Sequence, residues 1–195
     1  MGLLGVAIPS RCDTIIDMRL VKEHDEILRR RLKPFDFEDP VMDPHELVAG
    51  MQAIRKEFGG VGLAANQVGI DARVIVIGMG SFESEGTEEF ETAYFNPVVK
   101  SIMQGEIKMI EGCLSFPDLF IEIKRKQNLV MSWQDADQKQ WGERFGGMVS
   151  RILQHELDHL DGVVFTQRAQ HHALDKARKN RKLTQRRRKR LDRAI

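Results

Sequence analysis

The chain has 195 residues, a mass of 22.4 kDa and a formal net charge of +1, with 42% hydrophobic and 30% charged residues. This is an ordinary globular composition, and no stretch is long and apolar enough to span a bilayer. Two cysteines argue against a disulfide framework and indicate a reducing compartment.

Charge is distributed unevenly along the chain. Residues 168–195 hold 12 of the 30 basic residues and 2 of the 29 acidic residues, which gives +10. The remainder holds 18 basic and 27 acidic residues, which gives −9. We therefore predict an acidic body that carries a basic C-terminal helix or tail over residues 169–195.

Residues 1–9 are mildly apolar but carry no basic residue, so we expect no secretory signal.

One helix is predicted in the first third of the chain. Asp43 can cap a helix that begins at Pro44, and Glu46 completes a capping box. Apolar residues then recur at three- and four-residue steps until a glycine pair at residues 59–60 ends the helix.

The middle of the chain predicts a series of strands, at residues 73–77, 94–110, 120–123, 129–133 and from residue 140 onward. Asn96-Pro97 interrupts the second of them. Residues 78–92 predict an exposed loop, and residues 134–139 predict a hairpin turn. A second helix follows Gly146-Gly147 and ends at Gly162, after which the chain becomes extended again. Strands followed by a packed helix predict an α+β fold, with mixed or antiparallel sheets around a central helix and helices at both ends.

The second helix carries the residues on which the functional argument depends. His155 and His159 lie four positions apart, so both imidazoles can face one metal ion. Glu156 follows the first imidazole, and its carboxylate can take a proton from a metal-bound water. The alternative is a solvated charged helix in which this spacing occurs by chance.

A catalytic metal usually has three protein ligands and one open position, so a third ligand must come from elsewhere. Cys113, in the segment EGCLS at residues 111–115, is the candidate. The glycine before it lets the backbone bend and brings the sulfur close to a partner. The alternative is that Cys113 is a small buried hydrophobic residue.

Three segments resemble the motifs of the peptide deformylase family: GVGLAANQ at residues 60–67, EGCLS at residues 111–115 and QHELDHL at residues 154–160. All three are complete and occur in the family's order, and the resemblance covers about residues 25–168. It therefore implies one catalytic domain over residues 25–168, preceded by an N-terminal extension over residues 1–24. It implies a metal-dependent hydrolase that removes the formyl group from the N-terminal formyl-methionine of new polypeptides and releases formate. It also implies one divalent metal, natively iron(II) in many members, with zinc, nickel or cobalt as substitutes. The ligands alone do not define the metal.

The resemblance also assigns roles to single residues. The metal ligands are Cys113, His155 and His159. Glu156 is the general base, which returns its proton to the leaving amine. The side chain of Gln67 and the backbone N–H of Leu114 hold the formyl oxygen as it becomes negative.

An apolar pocket beside the metal must bind the methionine side chain. The candidates are Val61, Gly62, Leu63, Leu114, Met148 and Ile152. Met148 and Ile152 share the helix face of His155, but each of these side chains is equally consistent with plain core. If Glu111 is buried, it needs a cationic partner, for which Arg125 is the candidate. Phe116 departs from the aliphatic residue usual in the family, and it either narrows the pocket or fills core.

Two other functions are compatible with part of this pattern. A zincin-like metalloprotease shares the spacing of the two histidines, but its third ligand usually lies downstream, whereas Cys113 lies upstream. A non-enzymatic binder, either a degenerate homologue or a basic-tailed RNA-binding module, is disfavoured because every catalytic position of the motifs is intact.

The basic tail predicts a helix from about residue 170. One alternative is a partly frayed helix that only keeps the protein in solution, with a solvated basic run at residues 186–190. By resemblance, family members can dock on the ribosome through a C-terminal helix. We therefore expect residues 170–195 to bind ribosomal RNA phosphates weakly. The expected location is the cytoplasm, or the stroma or matrix of an organelle, without membrane attachment.

Overall fold

The computed structural model describes residues 6–8, 16–79, 90–103 and 105–192. The helices are α1 (Pro44–Glu57), α2 (Gly147–Leu160) and α3 (His171–Asp192). The strands are β1 (Val6–Ile8), β2 (Ile16–Met18), β3 (Gly62–Ala64), β4 (Val74–Met79), β5 (Phe90–Ile102), β6 (Glu106–Cys113), β7 (Phe116–Lys126), β8 (Asn128–Gln134) and β9 (Gln140–Gly146). Three short 3-10 turns cover Glu26–Arg29, Ala65–Val68 and Phe165–Arg168.

All strand pairs in these ranges are antiparallel. A five-stranded sheet has the order β3-β4-β5-β8-β9, β6 and β7 form a long hairpin, and β1 pairs with β2. Helix α2 packs against strands of both the sheet and the hairpin, because its apolar residues contact the sheet while its polar face meets β7. The predicted α+β fold class, with antiparallel sheets around a central helix, is confirmed.

The predicted first helix is confirmed as α1. The Asp43 carboxylate accepts hydrogen bonds from the backbone N–H groups of His45 and Glu46, at 3.0 and 3.2 Å. These bonds satisfy donors that have no partner inside the helix. Pro44 occupies the first turn, where its missing N–H costs nothing.

The strand boundaries between residues 78 and 110 differ from the prediction. Strand β4 continues to Met79 and β5 begins at Phe90, while residues 80–89 of the predicted loop lie outside the described residues. The predicted strand at residues 94–110 is two strands, with Gly105 at a φ of 100° between them. Asn96 has a φ of 48° and shifts the register within β5, so Asn96-Pro97 is a bulge inside a strand. Sequence alternation alone does not distinguish a bulge from a strand end.

The chain after α2 also differs from the prediction. An extended course was expected over residues 163–165, but Phe165 begins a 3-10 turn that runs to Arg168. The side chain of Gln167 accepts a hydrogen bond from the N–H of Val164 at 3.2 Å. Helix α3 then packs on β7, burying Ala177 among apolar residues of the hairpin. At the other end of the chain, Met18 is buried in the core. No helix within the described ranges is long and apolar enough to cross a bilayer.

Candidate metal centre

Cys113, at the end of β6, faces the two histidines of α2. Their potential ligand atoms, one from each residue, all lie within 4.8 Å of one another. The sulfur of Cys113 lies 3.3 Å from Nε2 of His159, and the two imidazole rings are 5.2 Å apart. Both imidazoles are buried and the thiol is half-buried. Among the described residues this is the one such group of His, Cys, Asp and Glu side chains, and its soft donors fit a tetrahedral metal ion.

Glu111 orients the first imidazole. Its Oε2 atom lies 3.0 Å from Nδ1 of His155, so the ring donates its proton there and turns Nε2 toward the centre. Arg125 was predicted as the cationic partner of Glu111, and this is confirmed by bonds of 2.8 and 3.0 Å from its Nε and Nη2 atoms. Burial opposes the charge on Glu111, but the bonds from His155 and Arg125 outweigh it and lower the pKa to about 2.

The two imidazoles have different electrostatic surroundings. Burial lowers the pKa of His159 well below its usual value, so this ring is neutral, which is the form that binds metals. Burial also opposes a charge on His155, yet hydrogen bonds with Cys113 and Glu111 raise its pKa to about 10. The surroundings of His155 therefore favour a positive charge on this buried ring.

Glu156 lies against the backbone of β3. It is 4% exposed, and its Oε2 atom has no hydrogen-bond partner among the residues that the structure describes. Burial raises its pKa to about 7. A Cβ atom at Gly62 would lie 2.7 Å from Oε1 of Glu156 and 2.7 Å from a methyl group of Ile152. Glycine at position 62 therefore leaves the space in which the carboxylate lies.

Gln67 presents its amide nitrogen to the same place. Its Oε1 atom accepts a hydrogen bond of 2.9 Å from the backbone N–H of Ala64, which fixes the orientation of the amide. Its Nε2 atom then lies 3.4 Å from both the sulfur of Cys113 and the hydroxyl of Ser115. The side chain of Leu114 packs closely against Gly60 of the first motif, since a Cβ atom at Gly60 would lie 2.6 Å from it.

A cleft of about 510 Å³ opens onto these residues. Five of the six residues predicted for the methionine pocket line it: Val61, Gly62, Leu114, Met148 and Ile152. Leu63 does not line it and is fully buried in the core, because neighbouring residues of β3 point to opposite sides of the strand. Phe116 both lines the cleft and packs on Phe165, with ring centroids 5.5 Å apart.

Sequence reasoning missed several residues that line the cleft, and it missed the roles of Arg151 and Arg168. The cleft is also lined by Phe58, Ile110, Leu119, Phe120 and Arg151. Arg151 lies four positions before His155, the same spacing as between His155 and His159. This spacing could have placed Arg151 on the same face of the helix as the two histidines. Arg168 reaches the buried carboxylate of Asp158 at 2.6 Å, a contact that no local pattern indicates.

A thiolate and two imidazoles beside a buried carboxylate, at the base of an apolar cleft, are typical of a metal-dependent hydrolase with one metal ion. The sequence profile of the polypeptide deformylase family matches residues 18–174. The chain therefore belongs to the peptide deformylase family, and the predicted resemblance to this family is confirmed.

Individual relatives agree with this assignment. A peptide deformylase of Cytophaga hutchinsonii is 34% identical over 146 residues, which cover 75% of this chain and 78% of the relative. The crystal structure of a plant peptide deformylase matches with a TM-score of 0.76 and 30% identity, over 87% of this chain and 90% of that one. A peptide deformylase of Plasmodium falciparum matches with a TM-score of 0.73 and 33% identity, over 86% and 95%.

Proposed function

We infer that this chain is a peptide deformylase, a metal-dependent hydrolase that removes the formyl group from the N-terminal formyl-methionine of new polypeptides and releases formate. The observation that carries this inference is that all three motif segments meet in one apolar cleft, within a chain that belongs to this family. The family assignment argues against a zincin-like protease. The presence of every catalytic side chain at the cleft argues against a non-enzymatic binder.

Cys113, His155 and His159 would hold one divalent metal ion. When bound, the ion acts as a Lewis acid that lowers the pKa of water and stabilises negative charge on the formyl oxygen. We propose iron(II) as the native ion, because the family resemblance implies it. Zinc, nickel and cobalt are proposed as replacements, because a thiolate with two imidazoles suits all four ions.

The protein's own groups move the proton and hold the developing charge. Glu156 takes a proton from the attacking water and delivers it to the leaving amine. Its pKa of about 7 suits both tasks near neutral pH. The Nε2–H of Gln67 and the backbone N–H of Leu114 donate to the formyl oxygen, and each such donor typically contributes ~3 kcal/mol to the transition state.

The cleft binds the methionine side chain through apolar contacts. Val61, Leu114, Met148 and Ile152 surround the space beside the ligand residues, and an unbranched thioether fills such a space without needing polar partners. Gly62 admits the substrate backbone close to Glu156.

The direct test is formate release from formyl-Met-Ala peptides, with the metal content measured on the same sample. We expect formate from the formylated peptide and no cleavage of the unformylated Met-Ala peptide. Cleavage of the unformylated peptide would instead support a protease. A protein that holds stoichiometric metal but releases no formate would overturn the proposal.

The proposed metal ligand is tested by replacing each cysteine in turn. Cys113→Ser is expected to weaken metal binding strongly, because a hydroxyl is a poorer ligand than a thiolate. Cys12→Ser, at a position outside the described residues, serves as the matched control and is expected to leave metal content unchanged. Loss of metal from the Cys12 variant alone would show that the thiolate is misassigned.

We further propose that α3 binds ribosomal RNA. One face of the helix docks on the body: Ala177 is buried, Arg181 pairs with Glu23 at 2.7 Å, and Arg188 pairs with Asp118 at 3.0 Å. The opposite face carries exposed bases at helical spacing: Lys179, Lys182, Arg186 and Arg190. Such a row can contact successive phosphates, with strong salt dependence. The enzyme would then act where translation occurs, in the cytoplasm or in the stroma or matrix of an organelle.

Co-sedimentation with ribosomes at low salt tests this role. Replacing Lys179, Lys182 and Arg186 with Gln should reduce binding, while formate release from short peptides stays unchanged. The matched control replaces three exposed bases of the body, Lys22, Lys100 and Arg144, and should bind nearly as well as the unmodified protein. If the two triple variants lose ribosome binding equally, the binding depends only on net charge, and the assignment to α3 is overturned.

A further inference from the structure

The carboxylate of Glu111 has no free hydrogen-bonding capacity. Its Oε1 atom accepts from Nε of Arg125 at 2.8 Å and from Nη1 of Arg151 at 2.5 Å. Its Oε2 atom accepts from Nη2 of Arg125 at 3.0 Å and from Nδ1 of His155 at 3.0 Å. A carboxylate offers about four lone-pair positions, so the group cannot rotate without losing a bond. The orientation of His155 is therefore set by where the two arginines hold Glu111.

The two arginines are not equivalent. Arg125 shares its guanidinium with a second carboxylate, because its Nη1 atom also donates to Asp158 at 2.7 Å. Asp158 is in turn held by Arg168 at 2.6 Å. Among the described residues, Glu111 is the one carboxylate paired with Arg151. Arg151 is therefore the cation dedicated to Glu111.

Arg151 also joins the two elements that carry the proposed metal ligands. It belongs to α2, which provides the imidazoles, whereas the thiolate stands at the end of β6. Its Nη2 atom donates to the carbonyl of Ile107 in β6 at 2.5 Å, and its Nη1 atom donates to the carbonyl of Ile123 in β7 at 3.2 Å. The guanidinium thus links α2 to both strands of the hairpin. Its planar, fixed arrangement of donors allows these bonds to form together.

We propose that Arg151 is a positioning residue for the metal centre, which orients His155 through Glu111 and holds the β6–β7 hairpin, in which Cys113 is the last residue of β6, against α2. The proposal rests on the metal site proposed above. It assigns to Arg151 no contact with substrate and no proton transfer. Its consequence is that losing Arg151 changes the affinity and the ligand geometry of the centre, in addition to any loss of stability.

Cobalt(II) provides the probe, because a cobalt–thiolate bond gives a charge-transfer absorption that reports on the thiolate ligand. The apparent Kd for cobalt(II), measured by competition with a chelator, should be about 10–100-fold weaker for Arg151→Met, as is typical when a residue that supports a ligand is lost. The charge-transfer band at full loading should also shift. Arg151→Lys keeps the charge but cannot bond both carbonyls. Its Kd for cobalt(II) should therefore lie between those of the unmodified protein and Arg151→Met.

The matched control is Arg55→Met. Arg55 is equally buried and donates to the carbonyls of Gly60 and Gly78, away from the ligands. This variant should have a lower Tm but an unchanged cobalt Kd and absorption band. If Arg151→Met does not fold, the comparison is made with Arg151→Lys.

The outcomes separate this proposal from the metal site itself. A folded Arg151 variant whose cobalt Kd and band equal those of Arg55→Met would overturn the positioning role. His155→Ala tests the underlying site, since it should lose cobalt binding. If His155→Ala binds cobalt as tightly as the unmodified protein, the proposed metal site is wrong, whatever the Arg151 variants show.

Discussion

At the scale of single residues, position 62 decides where the carboxylate of Glu156 can lie. Gly62→Ala places a Cβ atom 2.7 Å from Oε1 of Glu156, so the carboxylate must move. A displacement of ~1 Å can cost about 10²-fold in rate, and we expect formate release to fall by roughly that factor. Gly142→Ala is the control, because its Cβ would meet atoms no closer than 3.9 Å and should change little.

The role of Glu156 itself is tested by Glu156→Gln. The amide keeps the shape of the carboxylate but cannot accept a proton from the attacking water. Loss of a general base typically costs ~10²–10⁴-fold, so kcat for formate release should fall within that range while metal content and Tm are retained. Near-normal turnover by this variant would show that another group accepts the proton.

At the scale of secondary-structure elements, α3 has one docking face and one solvated face. Ala177 is buried against the hairpin, whereas the adjacent Arg178 is exposed. Ala177→Glu places an unpaired charge against apolar side chains and should lower the free energy of unfolding by about 2 kcal/mol or more. Arg178→Glu, the matched control, should stay within about 0.5 kcal/mol. Thermal unfolding measures both, and equal Tm values would mean that α3 does not dock.

Local patterns predicted the elements whose causes are local. Asp43 and Pro44 located the start of α1, and the spacing of His155 and His159 placed both imidazoles on one face of α2. Cys113 lies 46 positions from His159, and only the hairpin brings it there. Its proposed role as a ligand therefore depended on the resemblance to a family, since spacing along the chain cannot show such an approach.

The wrong predictions for Leu63 and Asn96 also arise from contacts that are not local in the sequence. Strand β3 has only three residues, so the sequence did not show which of them face the cleft and which face the core. Leu63 was therefore predicted at the cleft, although it lies in the core. Asn96 bends β5 without ending it, because its side chain donates to the carbonyl of Phe35 at 2.9 Å. These features depend on contacts between distant segments.

At the scale of the whole molecule, metal binding should contribute to folding stability. An ion held only by the folded chain stabilises it by about 4.1 kcal/mol at 1,000 times Kd. For a chain of this size, ~2–4 °C per kcal/mol predicts a Tm rise of roughly 8–16 °C when zinc is added to the chelator-treated protein. Cys113→Ser should lose most of this rise. An unchanged Tm in a protein that demonstrably binds zinc would mean that the unfolded chain binds it equally well.

The contact between Arg188 and Asp118 fixes the far end of α3 to the start of β7, which lines the cleft. If RNA binds the outer face of α3, the cleft stays at a constant distance from that RNA. A nascent chain spans at most ~3.3–3.6 Å per residue, so it reaches the cleft only once enough residues have left the ribosome. Beyond that length the encounter becomes intramolecular, with an effective concentration set by the reach of the chain. Deformylation would then begin at a threshold of nascent-chain length.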